Sequence, residues 1–365
     1  MRILVAPDKF KGSLGAEAVG AALAAGLRER LPEAEIELQP IADGGEGTAE
    51  VLRRALGGES VDCAAHDALG REIRARFAWM PMTQTACLEM SAAAGLRQLA
   101  PDERDPLRAS TFGVGEMLVA AKARGAARIL IGLGGSATND GGSGLARTLG
   151  FRFLDSAGQD IEAIGGMENL ARIESPNELV LPPIIIVADV RNPLLGPRGA
   201  TGTFGAQKGA TPAQLELLER ALTRLADVVA TSGRDFREVA GAGAAGGLGF
   251  GLLAFAGAEM RPGFEVVAEV LGLREKIAAA DYVITGEGNL DRQTLAGKGP
   301  AGVARLAREL GKPVFALVGR CSGEAEVRAL FDGVFPLDET PPFTRTAELL
   351  RNRGRELGSR LIAPA

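Results

Sequence analysis

Both ends of this 365-residue chain alternate short apolar runs with amphipathic helical patterns, and that alternation restricts the fold more than any other feature. "RILVAP" (2–7) and "EIELQPI" (35–41) read as strands, "GAEAVGAALAAGLRERL" (15–31) and "GTAEVLRRAL" (47–56) as helices. Near the other end, "DYVITG" (281–286), "PVFALVG" (313–319) and "FDGVFPL" (331–337) are strand-like. Helical "GPAGVARLAREL" and "EAEVRAL" separate them, and a last helix is expected over 344–361. Strands joined through helices pair in parallel, because the crossover returns the chain to the same end of the sheet. The expected class is therefore α/β.

The middle has a different texture. "GESVDCAAHDALGREIRARFAWM" (58–80) alternates polar and apolar residues about Gly70, as an antiparallel hairpin does. "TACLEM" (85–90), "ARILIGLGG" (127–135) and "PPIIIVADV" (182–190) read as further strands, and 212–231 as a long helix. Two domains follow: a parallel-sheet domain from both chain ends (1–60 plus 280–365) and an inserted α/β (α+β) domain over 61–279. A net charge of -5 argues against nucleic acid as a partner. No run approaches the ~18 apolar residues of a membrane span, and "MRILVAPDKF" is too short and polar for a signal peptide. Cys63, Cys87 and Cys321 are far apart, which suits a reduced, cytoplasmic protein without structural zinc. His66 is the single histidine, which removes His-rich metal sites and leaves a Ser-His-Asp triad only through His66 itself.

Glycine is the outlier, with 50 residues, about twice the usual share. In "IGLGGSATNDGGSGLARTLG" (131–150) seven glycines break up an apolar run, six of them ahead of a helical stretch and one behind it. Glycine costs backbone entropy, so a dense cluster means that the backbone must touch a phosphate, a small polar substrate or another piece of backbone. Similar corners follow other predicted strands: "APDKFKGSL", "ADGGEGT", "ADVRNPLLGPRG" and "TGEGNLDRQTLAGKGP". Ligands of open α/β sheets bind at such strand ends, where helix N-termini favour anions.

Standard phosphate motifs fit poorly. GxxxxGK[ST] is absent, since Arg292 stands at the first Gly position before Gly297-Lys298 and Gly299 replaces Ser or Thr. "GAGAAG" (241–246) matches GxGxxG, but no convincing strand precedes it. "GLGGSA" (132–137) follows a strand without the later acidic residue, which keeps a nucleotide-dependent oxidoreductase of a small hydroxy acid as the alternative. Phosphoryl transfer needs cations and amides on the phosphates, oxygen ligands for Mg²⁺, and a carboxylate near the attacking hydroxyl. Lys9, Lys11 and Lys298 offer cations; Asp43, Asp189, Glu287 and Asp291 offer carboxylates. Asp189 ends an apolar strand, a costly place for an unpaired charge. Arg191 and Asn192 after it suit a carboxylate. Asn139 and Asp140 suit either a ligand or a turn. The residues alone reach a small-molecule phosphotransferase or another anion-handling α/β enzyme.

In this order, "VAPDKFKGSL", "PIADGGEGT", "LEMSAAAGL", "IGLGGSATNDGGSG", "ADVRNPLLGPRGA", "FGAQKGA", "GAGAAGGLGFG" and "ITGEGNLDRQTLAGKGPAGVA" resemble the bacterial glycerate kinase family, over nearly the whole chain. Ala188, Phe112 and Gly299 depart from the residues usual there, without removing a charge. The resemblance implies a flavodoxin-like domain, an active site in the cleft between two domains, and phosphorylation of D-glycerate by ATP with Mg²⁺. The 2-phosphate is the expected product, ahead of the 3-phosphate, with another small hydroxy acid as a further alternative. A monomer or homodimer is expected. Asp189, Asp43 and Lys9 are expected in catalysis, and Lys11, Ser13, Arg191 and Asn192 at the substrate. Gly134, Gly135, Ser136, Asn139, Asp140, Gly141, Glu287 and Lys298 are expected at the nucleotide phosphates. Asp189 and Asp291 are the expected metal ligands.

Overall fold

The computed structural model describes residues 1–291, 299–321, 325–339, 341 and 343–362. Its strands are β1 (Arg2–Pro7), β2 (Glu35–Leu38), β3 (Glu59–His66), β4 (Glu72–Met80), β5 (Thr85–Glu89), β6 (Arg128–Gly132), β7 (Arg152–Leu154), β8 (Arg172–Glu174), β9 (Ile184–Val187), β10 (Glu259–Arg261), β11 (Tyr282–Leu290), β12 (Val314–Cys321) and β13 (Gly333–Pro336). Contacts divide the chain into two compact units, Met1–Asp43 with Pro262–Ala365, and Gly44–Arg261. The divisions fall earlier than residues 60 and 280. The helix Thr48–Ala55 packs on β4 and β5, and the helix Leu273–Ala279 packs on β1.

The first unit carries a five-stranded sheet in the order β13-β12-β11-β1-β2, parallel throughout. Numbered along the unit, that is 2-1-3-4-5, the doubly wound order of flavodoxin-like folds. β1 is buried from Ile3 to Pro7 because both of its faces are covered. Ile3 and Val5 pack with Val19, Leu23 and Leu27 of helix Ala16–Arg28 and with Leu350 and Leu357 of helix Thr346–Ile362. The alternate residues Leu4 and Ala6 are equally buried, and helix Gly299–Glu309 packs on β1 and β11. Strand order reverses between β1 and β11, which makes their carboxyl ends the switch point where such sheets take ligands.

The second unit holds a six-stranded mixed sheet, β10-β9-β6-β5-β4-β3, and a two-stranded β7-β8 pair. β3 and β4 form the expected antiparallel hairpin. Asp67 closes it by accepting the N–H groups of Leu69 and Arg71 at 2.9 Å each, while Gly70 takes φ +82°. β5, β6, β9 and β10 run parallel. The long helix is Pro212–Ala230, started by Thr211: its hydroxyl accepts Gln214 N–H at 3.3 Å, and Gln214 Oε1 accepts Thr211 N–H at 2.8 Å. Among the described residues no helix is long and apolar enough to cross a membrane.

Candidate active site

In the first unit the glycine-poor end of β1 meets the glycine-rich end of β11. Pro7 pairs with Gly286, and Asp8 N–H donates to Gly286 O at 2.8 Å. A Cβ on Gly288 would stand 3.2 Å from Lys11 N, so the turn bearing Lys9 and Lys11 runs along Gly286–Gly288. Two acids are buried there, Asp8 (7% exposed) and Glu287 (9%). Asp8 Oδ1 accepts Lys9 N–H at 2.6 Å. Lys9 is half-buried and Lys11 exposed. Asp291 is half-buried and accepts Asn289 Nδ2 at 2.6 Å. Ser13 is half-buried, and its hydroxyl donates to Thr346 Oγ1 at 2.7 Å, at the start of the last helix. Asp43 is half-buried beyond β2. Lys298 lies outside the described residues.

In the second unit three corners converge at the carboxyl edge of β6 and β9. Gly44 takes φ +88°, and a Cβ there would sit 2.9 Å from Val187 O. A Cβ on Gly132 would sit 2.9 Å from Gly44 O, and one on Gly134 3.3 Å from Glu46 N. Backbone therefore packs on backbone where the 44–47, 132–136 and 187–189 segments meet. Asp189 follows this edge and is half-buried. β9 ends at Val187 instead of continuing to 190, so Asp189 belongs to the loop. Arg191 is exposed and, among the described residues, forms no ion pair. Asn192 builds this loop: its Nδ2 donates to Arg198 O at 2.6 Å and to Thr203 Oγ1 at 3.2 Å, and its carbonyl accepts the N–H groups of Gly241 and Gly243.

The stretch 132–144 splits into two parts. Gly135 is exposed, and Gly134 and Ser136 are half-exposed, whereas Ala137 to Gly144 are buried. Asp140 faces the protein's own donors. Its Oδ2 accepts Thr111 N–H and Thr111 Oγ1–H at 2.8 Å each and Gly144 N–H at 3.2 Å; Oδ1 accepts Gly142 N–H at 3.1 Å. The N-terminus of helix Ser143–Thr148 is thus filled by a protein carboxylate. Gly141 is closed in by Leu225 and Leu222, 2.6 and 2.8 Å from where its Cβ would be. Asn139 is fully buried and donates through Nδ2 to Thr201 Oγ1 at 2.9 Å. Removing the Asp140 carboxylate strands several buried donors, so Asp140→Ala should lose about 2–4 kcal/mol of stability in a urea titration. A variant as stable as the parent would sink that role.

Asp8 stands in the "APDKFKGSL" corner, where a turn former or cap and a functional carboxylate are equally open from the sequence, and the sequence by itself assigns neither Glu89 nor Lys208 a role. Glu89, at the end of β5, accepts Gly47 N–H at 2.8 Å and Ala49 N–H at 3.0 Å. It neutralises the N-terminus of helix Thr48–Ala55, so this corner too is met by an internal anion. The acid closing the apolar "ACLE" was the visible signal. Of the glycine-rich corners at the β6 and β9 edge, Gly134–Ser136 and Gly45–Gly47 are the open ones; the Gly135 carbonyl accepts Leu96 N–H at 2.8 Å, and Gly47 N–H goes to Glu89. "GAGAAG" is closed in: among its residues Gly243 and Gly246 have backbone atoms where a Cβ would lie, and Gly241 meets Met260 and Val190 O. Burial pushes the Cys87 thiol up, and Cys63 follows in the same direction. Among the described residues no group of three or more His, Cys, Asp or Glu side chains is placed to hold a metal ion.

Comparison with known proteins agrees with this architecture. The model of the glycerate kinase family matches residues 3–359. A glycerate kinase of Bacillus subtilis (strain 168) is 40% identical, covering 98% of this chain and 97% of its own. A glycerate 2-kinase of Escherichia coli (strain K12) is 41% identical over 90% of this chain and 87% of its own. A crystal structure described as glycerate kinase 2 from Salmonella typhimurium LT2 matches with a TM-score of 0.90 at 40% identity, over 99% of this chain and 98% of that one. Kinases of this kind use a nucleotide as phosphoryl donor. A match of this extent in sequence, joined to the same fold, shows that the chain belongs to the glycerate kinase family and is a kinase.

Proposed function

We propose that the protein transfers the γ-phosphoryl group of ATP to D-glycerate and releases 2-phosphoglycerate. The observation that supports this most is the half-open Gly134–Ser136 segment after β6, with Asp189 in the loop after the neighbouring strand β9, flanked by helix ends already neutralised by Asp140 and Glu89. A free run of amides suits an anionic group, and a nearby half-buried carboxylate suits a hydroxyl that must lose its proton. In this reading Asp189, or alternatively Asp43, accepts the proton from the glycerate hydroxyl. Arg191 holds the glycerate carboxylate through its guanidinium fork; Asn192, whose Nδ2 is taken up by Arg198 O and Thr203 Oγ1, serves the substrate by shaping the loop that carries Arg191. Lys9, Lys11 and Lys298 bind anionic oxygens, with Ser13 near the substrate. Glu287 and Asp291 support the ribose or the metal.

The donor chemistry fits Mg²⁺. That ion keeps several waters and takes one or two carboxylates beside phosphate oxygens, so Asp189 or Asp291 suffices without a dedicated cage. Bound there, the ion would neutralise phosphate charge. Three free cysteines suit a cytoplasmic setting. Incubation with D-glycerate and Mg-ATP, followed by phosphorus NMR, tests the reading. A 2-phosphoglycerate signal is expected. A 3-phosphoglycerate signal overturns the regiochemistry, and a folded protein yielding no phosphorylated product overturns the substrate.

A further inference from the structure

The roles above leave one buried cation without a task. Lys208 closes the single turn Ala206–Lys208 after helix Ala200–Phe204 and is 1% exposed. Its Nζ donates to the Thr138 carbonyl at 2.6 Å, the one hydrogen bond its side chain makes among the described residues. The next residue, Asn139, is fully buried; its Oδ1 has no partner among the described residues. An ammonium with spare donors and an amide with a spare acceptor thus lie on the same turn, two and three residues beyond Ser136. Gly246 crowds the same carbonyl, since a Cβ there would overlap Thr138 O, and Thr138 Oγ1 donates to Ala245 O at 3.4 Å. This turn is held from two sides, and one of the two holds carries a titratable charge.

We propose that Lys208 is a positioning residue for the kinase reaction, on the reading given above. Its ammonium form clamps the Thr138 carbonyl and thereby fixes the Gly134–Ser136 amides, and an anion bound there draws a proton onto Lys208. Burial pushes this lysine down from 10.5 to about 7, while the Asp140 carboxylate pulls the other way. Asp140, on the clamped turn, is the charged group acting on it among the described residues. The other elements that hold the Thr138–Asn139 turn present neutral groups, Thr201 of helix Ala200–Phe204 and the Ala245–Gly246 backbone. An arriving anion favours the charged lysine, and by linkage the charged lysine favours the anion. The folded value lies below the unfolded one, so the unfolded chain binds more protons between about 7 and 10.5. Stability therefore rises with pH across that window.

The test is calorimetry of Mg-ATP binding to the intact protein, in buffers of different ionisation enthalpy, at about pH 8 and about pH 6. Uptake of a fraction of a proton is expected at the higher pH and almost none at the lower, where Lys208 is already charged. Lys208→Met should abolish the uptake, raise KM for Mg-ATP about tenfold with a smaller change in kcat, and flatten the alkaline rise in stability. A wild type without proton uptake at about pH 8 overturns the proposal with no variant needed, as does uptake that persists in folded Lys208→Met. Turnover of D-glycerate by the same samples judges the substrate separately. A protein that binds Mg-ATP but leaves glycerate unphosphorylated fails the substrate reading, and the calorimetry still decides Lys208. Absence of Mg-ATP binding overturns both.

Discussion

Asp189→Asn should lower kcat for D-glycerate by roughly 10²–10⁴-fold and leave the thermal unfolding midpoint unchanged. Asparagine keeps the shape and the hydrogen-bonding reach of aspartate but cannot accept a proton at neutral pH. The loss should appear in kcat with little change in KM, because proton removal matters at the transition state more than in the bound substrate. Asp189 lies half-buried in the loop after Val187, where an amide of the same size leaves the packing as it is. Near-normal turnover would take the base role away from Asp189 and give it to Asp43. The matched variant Asp43→Asn distinguishes the two.

Gly246→Ala should cost at least about 3 kcal/mol of stability, a large effect for one methyl group. Three consecutive residues, Ala245, Gly246 and Gly247, take φ of 54°, 68° and 88°. Such a run of left-handed backbone is already strained at the alanine. At Gly246 a Cβ would overlap the Thr138 carbonyl oxygen and lie 2.6 Å from Asn139 Cα. No side chain can rotate away from that, since both obstacles are backbone. Gly233 supplies the control: its φ is +84°, yet nothing lies within 4 Å of its Cβ position. Gly233→Ala should therefore lose only about 1 kcal/mol, the conformational share alone. Equal losses at the two positions in urea titrations would show that crowding at Thr138 is not what makes Gly246 necessary.

The β3–β4 hairpin and the parallel sheet from both chain ends were legible because period-two alternation, turn chemistry and helix-punctuated apolar runs are local signals. The meaning of the glycines was not. From the sequence, "GGSATNDGG" fits a ligand-touching loop as well as backbone packed on backbone, and only the fold shows that Gly141, Gly142 and Gly144 are excluded from side chains by Leu225, Gly251 and Ser110, residues far away in the chain. Asp140 shows the same limit. Its Asp-Gly-Gly context fits a phosphate loop as well as a turn, and only the fold brings Thr111 onto the carboxylate. Lys208 was harder still, because nothing in "GAQKGA" marks a lysine that will be buried. Burial of that kind depends on elements around residues 138 and 245, far from it in the chain.

The order of synthesis sets a timetable for this fold. Strand β1 leaves the ribosome long before its partner β11: Ala6 accepts the Thr285 hydroxyl across 279 residues. At ordinary translation rates the wait is on the order of tens of seconds. The continuous segment Gly44–Arg261 can complete its own sheet in that interval, while Ile3, Leu4 and Val5 remain without half of their final cover. The nascent chain is most exposed to aggregation through this N-terminal strand, so chaperone dependence should concentrate there.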